Sequence, residues 1–231
     1  MKKDSRRRSD SLTRQRIIEA AIELLDIAGT RGLTFPALAA HLNTGAGAIY
    51  YHVAHKADLL IAACDAAVEA VLAPSCGASP FLEIREVSLA LFDAIDKRPW
   101  IATALAQAPG SMPSIRILER FGQQIRKMGI DPAVEWSVVA ALLNYVLGVG
   151  GQNAANAEMA RDLGLDRELF LRAMAKDWSN LNAAAFPFTR SMAAHLPAHD
   201  DRADFLTGLD LILAGISELA TWQGPDGRSH L

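Results

Sequence analysis

Residues 43–56 read Asn-Thr-Gly-Ala-Gly-Ala-Ile-Tyr-Tyr-His-Val-Ala-His-Lys. The smallest side chains of the chain stand here beside two tyrosines, two histidines and a lysine. Phenol hydroxyls, an imidazole and an ammonium are donors suited to phosphate oxygens. Three readings are open: a glycine loop that cradles phosphate, a short helix pressed against nucleic acid, and a tight corner in a helical core. Gly45-Ala46-Gly47 has no strand before it and no third glycine after it, unlike a phosphate-binding fingerprint. The corner reading serves Tyr50 but does not account for Tyr51, His52 and Lys56 around one short helix.

Other chemistry finds little support. There is no G-x-S-x-G elbow, no HExxH and no C-x-x-C pair, so the chain is not expected to be an enzyme. His195 and His199 have the i, i+4 spacing of metal ligands, but Pro197 breaks any helix between them. Neither a metal nor a cofactor is expected. Cys64 and Cys76 stand twelve residues apart, which fits a reducing compartment and provides no zinc or disulfide framework.

The 231 residues are 51% hydrophobic and 21% charged, enough for a sizeable core and too apolar for global disorder. The net charge of −3 is unevenly spread. Residues 1–60 hold nine Lys/Arg and six Asp/Glu, a balance of +3, whereas the remainder holds fourteen and twenty, a balance of −6. Arg6, Arg7 and Arg8 concentrate the positive charge at the start. A basic arm on an acidic protein is the electrostatic footprint expected for nucleic acid, or else a solvated tail. No apolar stretch follows the basic start, and the longest nearly apolar run, 138–149, is twelve residues broken by Asn144. A membrane span needs about 20. The expected location is the cytoplasm, with no membrane partner.

The elements that must position the cluster are helical. Ile17, Ala20, Ala21, Leu24, Leu25 and Ala28 repeat at i, i+3, i+4, with Gly29 as a stop. Thr34 caps a short helix carrying Leu38, Ala39 and Leu42, with Pro36 in its first turn. Asn43 suits the left-handed turn, a second short helix covers about 45–53, and Leu59, Leu60, Ala63, Cys64, Ala67, Val68 and Val71 mark a longer one. A Pro/Gly/Ser break at 73–80 separates this part from further helices. One of these, opened by Asp131-Pro132, is apolar nearly all round to Leu147 and is expected to be buried in a core or an interface. Residues 150–164 read as looser, and a last helix covers 203–220. No alternating run reads as a strand, so the fold class is all-α: an N-terminal three-helix head with a helix-turn-helix, then a larger helical domain.

The segment 32–60, GLTFPALAAHLNTGAGAIYYHVAHKADLL, resembles the DNA-binding head of TetR-type (tetracycline-repressor-type) transcriptional regulators. The diagnostic part is Ile49-Tyr50-Tyr51-His52-Val53 with Lys56 and Leu59-Leu60, and the resemblance covers about residues 12–60. The tail at 204–219, DFLTGLDLILAGISEL, is similar to the tetracycline-repressor subgroup. The resemblance implies a basic disordered arm at 1–11, a helix-turn-helix domain at 12–58, and a ligand-binding and dimerisation domain at 59–231. It implies that Tyr50, His52 and Lys56 contact phosphates and that Tyr51 lies along the backbone or reaches a base. Ala46, Gly47 and Ala48 match positions that enter the major groove. Pro36 occupies another base-contact position, where this chain departs from the pattern. With no polar side chain at these places, sequence reading falls to thymine methyls, to Thr44 and Tyr51, to close approach at glycine, and to the Arg6–Arg8 arm in the minor groove, with Thr34 as a further candidate DNA contact.

The resemblance further implies a homodimer, a double-stranded operator and a small-molecule effector. Dimerisation would use the helices at 132–151 and 203–220. Candidate effector walls are Phe92, Trp100, Leu105, Met112, Phe121, Asn144, Tyr145, Met174 and Trp178. Tetracycline is not expected, because no histidine lies between His55 and His195; a largely apolar or aromatic molecule fits better. The expected function is a repressor that such a molecule releases from DNA, through the helix at 56–72. A dimer without an effector, and a helical ligand-binding protein or enzyme with a vestigial head, are the alternatives.

Overall fold

The computed structural model describes residues 12–72 and 79–221. The Arg6–Arg8 arm, most of the 73–80 break with Cys76, and Trp222 therefore lie outside the described residues. Among those described, all regular structure is helical, as expected. The order is α1 (Arg14–Gly32), α2 (Phe35–His41), α3 (Ala46–Tyr50), α4 (Lys56–Val71), α5 (Pro80–Lys97), α6 (Trp100–Gln107), α7 (Met112–Lys127), α8 (Pro132–Asp162), α9 (Arg167–Ser179), α10 (Pro187–Met192) and α11 (Asp201–Thr221), with one 3-10 turn at Leu196–Ala198.

Local chemistry sets many of these ends. Thr13, Thr34, Ser79 and Asp166 each accept a hydrogen bond from the backbone N–H three residues on, which satisfies an otherwise orphaned donor of the first turn. α1 bends where a stop was expected: Gly29 has φ 61 and ψ −167, and one more turn follows it to Gly32. That turn needs a glycine at 32 as well, because a Cβ there would lie 2.2 Å from the Ala28 Cβ.

The chain divides into two compact units, Met1–Leu147 and Gly148–Leu231. In the first, α1 packs on α2, α4 and α6, while α4 and α5 pack on each other and each on α6 and α7. Ile17, Ala21, Leu25, Leu38 and Ile49 form the buried side of the head; Leu59, Ala63, Cys64 and Val68 continue it along α4. The Cys64 thiol is pushed up to about 12, chiefly by burial and further by Asp65, so it stays protonated and inert at neutral pH. In the second unit, Ala160, Phe170 and Leu171 form a small core joined by Leu165 and Met174. Arg190 donates to the carbonyls of Ser179 and Leu181 at the end of α9.

One expectation for the helix at 132 is corrected. The helix does not loosen at 150 but runs unbroken to Asp162 and ends in a Schellman turn: Gly164 at φ 67 donates to the Arg161 carbonyl, and Leu165 to that of Ala160. Glycine costs a helix only about 1 kcal/mol per residue, and the segment 152–162 carries four alanines with Gln152, Glu158, Met159 and Arg161, which favour helix. Within the single chain the helix is buried on one side, which leaves the expected interface open on the other. Val138, Val139, Leu142 and Val146 are buried, but Trp136 is 69% exposed, and Ala141 and Asn144 face solvent. Asn144 is therefore not a buried polar group in search of a partner. By length and composition alone α8 is also long and apolar enough to cross a membrane. The twelve-residue apolar run did not suggest this. Finally, α11 starts at Asp201 rather than 203, because the Asp200 carboxylate accepts from the N–H groups of Arg202 and Ala203.

Candidate nucleic-acid interface

α2, the turn and α3 form a helix-turn-helix. Its turn is built by Asn43, the one non-glycine residue with positive φ (51) among those described. The Asn43 N–H donates to the Ala40 carbonyl at 3.2 Å and the Thr44 N–H to that of Ala39 at 2.9 Å, the paired bonds of a Schellman end. Asparagine tolerates this conformation better than most side chains. α3 then starts at Ala46 after Gly45, which offers no side-chain cap.

Within α3 only Ile49 is buried, and it is fully so. Leu38 and Ala39 of α2 are its buried counterparts, with Val53 just beyond α3. This one anchor leaves the rest of the short helix outward: Gly47, Ala48 and Tyr50 are exposed and Ala46 is half-buried. A Cβ built at Gly47 would meet nothing within 4 Å. The fold therefore does not need glycine there.

The polar residues gather around the end of α3. Tyr51 is 88% exposed, and its ring meets His52 edge-on at 5.3 Å. Tyr50 stacks on Phe35 with centroids 4.3 Å apart, which ties the last residue of α3 to the first of α2. Thr34 accepts from the Ala37 N–H at 3.2 Å, which engages its oxygen as the α2 cap and leaves the hydroxyl proton to donate. Lys56, the first residue of α4, donates to the Thr30 carbonyl at 2.7 Å; an ammonium carries two further protons. His41 of α2 meets Glu23 of α1 at 2.6 Å.

Phe35 and the Thr30 carbonyl carry no sequence signal for these roles. Phe35 reads as a helix-start apolar residue, and a backbone carbonyl has no side chain to read. The helical spacing of 46–52 did mark the exposed set.

The candidate effector walls are scattered. Phe92, Trp100, Leu105 and Phe121 are buried in the α4–α7 core. Met112 is exposed at the start of α7, Asn144 is exposed and Tyr145 half-buried. Met174 belongs to the small core of the second unit, and Trp178 is half-buried on α9. Trp100 also has a task that its apolar setting did not suggest: its indole N–H donates to Asp26 of α1. Inside the core, Glu83 accepts from Arg120 at 2.7 Å and Gln124 at 3.1 Å, while Ser88 Oγ and Arg120 Nε are buried without a partner. His199 meets Asp201 at 3.0 Å and Asp204 at 3.1 Å, and among the described residues no group of three or more His, Cys, Asp or Glu side chains is placed to hold a metal ion.

Known proteins carry the same arrangement. Residues 17–63 match the family model for bacterial regulatory proteins of the tetR family, and residues 84–220 match the tetracyclin repressor-like C-terminal domain. The transcriptional repressor DrrR1 of Streptomyces coeruleorubidus is 28% identical over 230 residues, covering 94% of this chain and 82% of its own. A solved TetR regulator from Streptomyces coelicolor is 45% identical, with a TM-score of 0.79 over 91% of this chain and 100% of that one. ActR from the same organism, solved in complex with actinorhodin, shares the fold at 22% identity and a TM-score of 0.73, over 90% and 96%. With both family models matched and the helix-turn-helix in place, this chain belongs to the TetR family of DNA-binding transcriptional regulators.

Proposed function

We propose that the chain is a cytoplasmic, dimeric repressor that leaves its operator when a small, largely apolar or aromatic molecule enters the α4–α7 core. The observation that carries this reading is the exposed end of α3, held on one buried isoleucine and ringed by Tyr50, Tyr51, His52 and Lys56. These four grip phosphates and set the register, while Thr44, Ala46, Gly47 and Ala48 meet base edges, with Thr34 at the start of α2. The Arg6–Arg8 arm enters the adjacent minor groove. The similarity to a named repressor supports the sign of regulation, and the ligand of ActR supports an aromatic effector. The unpartnered Ser88 hydroxyl and Arg120 Nε suit an effector with a hydrogen-bond acceptor.

A second copy is the partner that suits the exposed apolar strips. On α8 these include Trp136; on α11, Leu211 is 71% and Leu219 48% exposed. Added Cβ atoms at Gly148 and Gly215 meet nothing within the chain, so close backbone approach by a partner is open at both. The apolar surface of α8 serves this interface and not a membrane span.

The test is to enrich a duplex from a random pool with the purified chain, then titrate it against salt. A palindromic site with half-sites about one helical turn apart, bound with a steep salt slope, is the expected result. Aromatic acids, quinones and phenols are then screened for release of that duplex. Salt-independent binding, or no enrichment at all, would sink the DNA-binding part; release by none of them counts against the effector part.

Gly47 provides a sharper check of base reading. Gly47→Ala is expected to leave the head folded, stabilising it by up to about 1 kcal/mol because alanine favours helix. It should nonetheless change the base preference of the enriched duplex, since a methyl now stands where the backbone approached. An unchanged preference would remove Gly47 from the interface.

A further inference from the structure

Asp26, on α1 of the head, is held by two donors from far along the chain. The Trp100 indole donates to Oδ1 at 2.8 Å. Arg98 donates to Oδ2 through Nε at 3.1 Å and through Nη2 at 2.9 Å. The partners stand 72 and 74 residues from Asp26. Arg98 closes α5 and Trp100 opens α6, so the α5–α6 corner takes hold of α1 through both oxygens of one carboxylate. Trp100 is 4% exposed, so its ring cannot swing to follow a moving partner.

The grip falls beside the bend in α1. Three residues after Asp26 the helix breaks at Gly29, in a backbone conformation that side chains rarely adopt. The turn beyond the bend is held by Lys56 of α4 through the Thr30 carbonyl. α1 is thus fixed by the α5–α6 corner before its bend and by α4 after it. Asp26 and Arg98 are each about one-third exposed, and ion pairs of that kind do little for overall stability. What two converging donors do supply is direction.

We propose that Asp26 is a positioning residue for operator binding: clasped by Arg98 and Trp100, it sets the angle at which α1 carries the helix-turn-helix away from the α5–α6 corner. This rests on the reading of the chain as a DNA-binding dimer. Specific binding requires two recognition helices at a fixed separation, whereas phosphate contacts to unrelated duplex tolerate a tilted head. Loosening the clasp therefore weakens selected DNA more than unrelated DNA.

The experiment uses the full chain, a duplex enriched from a random pool by the wild type, and an unrelated duplex of equal length at the same salt. Asp26→Asn keeps the shape and removes the charge; Trp100→Phe keeps most of the packing and removes the donor. Each is expected to weaken the enriched duplex about 5- to 20-fold, within the usual range of coupling between sites, and to change unrelated-duplex binding by less than about twofold. The double variant should lose no more than the worse single one, because both break one clasp. Arg98→Lys should fall between the single variants and wild type. An unchanged ratio of enriched to unrelated affinity in both single variants overturns the assignment. So does a double variant whose loss is the product of the two. If Asp26→Asn does not fold, as judged by helical circular dichroism, Trp100→Phe and Arg98→Lys decide the matter by the same ratio. A wild type that binds no duplex in a salt-dependent way fails the DNA-binding reading instead, before any variant is made.

Discussion

Ile49→Ala is expected to destabilise the head by about 2–5 kcal/mol, the usual cost of truncating a fully buried aliphatic side chain, and to abolish binding to the enriched duplex. The reason lies in the size of α3. Five residues are far too few to hold a helix in water by themselves. The tertiary anchor must do it, and within α3 Ile49 is the only buried residue. Removing three of its carbons opens a cavity between α3 and the buried side of α2. The recognition surface then frays even if α1 and α4 stay packed. Urea unfolding and duplex binding on one sample check this. A variant that binds within about twofold of wild type, despite the lost packing, would show that α3 is held by something other than Ile49. Ile49→Val, which removes one methyl group, is expected to cost about 0.5–1.5 kcal/mol and to keep measurable binding.

Lys56→Met is expected to lower the slope of log affinity against log salt by about 0.9 for each head, hence by roughly twice that for a dimer. Affinity for enriched and unrelated duplex should fall together, because a phosphate contact carries no base information. Methionine keeps an unbranched stem of similar reach and a good helix propensity, so α4 itself should persist. The variant also loses the bond to the Thr30 carbonyl. That loss is a backbone contact at an exposed site, worth about 0.5–1.5 kcal/mol of stability, and it shows as a lower melting temperature, not as a change in salt slope. The two consequences are thus separable on one variant. A lowered melting temperature with an unchanged salt slope would mean that Lys56 serves α1 alone and touches no phosphate.

Much of the head is legible without coordinates. Asn43 is one of few residue types that accept a left-handed turn, and it stands between two short apolar patterns; the structure has it at φ 51. The apolar set Leu38, Ala39, Leu42, Ile49 and Val53 has the spacing to hold two short helices together; four of the five are buried and Leu42 is half-buried. Exposure of Tyr51 follows once Ile49 is known to point inward.

The effector region is less legible for a physical reason. Phe92 and Phe121 have the same apolar pattern whether they line a cavity or fill a core, and periodicity cannot tell the two apart. Asn144 shows the opposite error: a polar residue inside an apolar run suggests a buried site only if the run is buried all round. α8 instead keeps one face inside and leaves another open. The length of α8 is hard to read for a related reason: its three glycines have the pattern of punctuation, yet their neighbours favour helix strongly enough to carry them.

The amino-acid order alone determined the all-α class, the three-helix head and the outward set of donors around α3, because capping, helical period and the one left-handed turn are local properties. Only the tertiary structure decided that Trp100 and Arg98 meet Asp26, that Tyr50 stacks on Phe35, and that Lys56 reaches the Thr30 carbonyl. Three of these four contacts join residues from 26 to 74 positions apart. Such pairings depend on how whole helices pack, and no local pattern of spacing encodes which distant side chain a carboxylate will find.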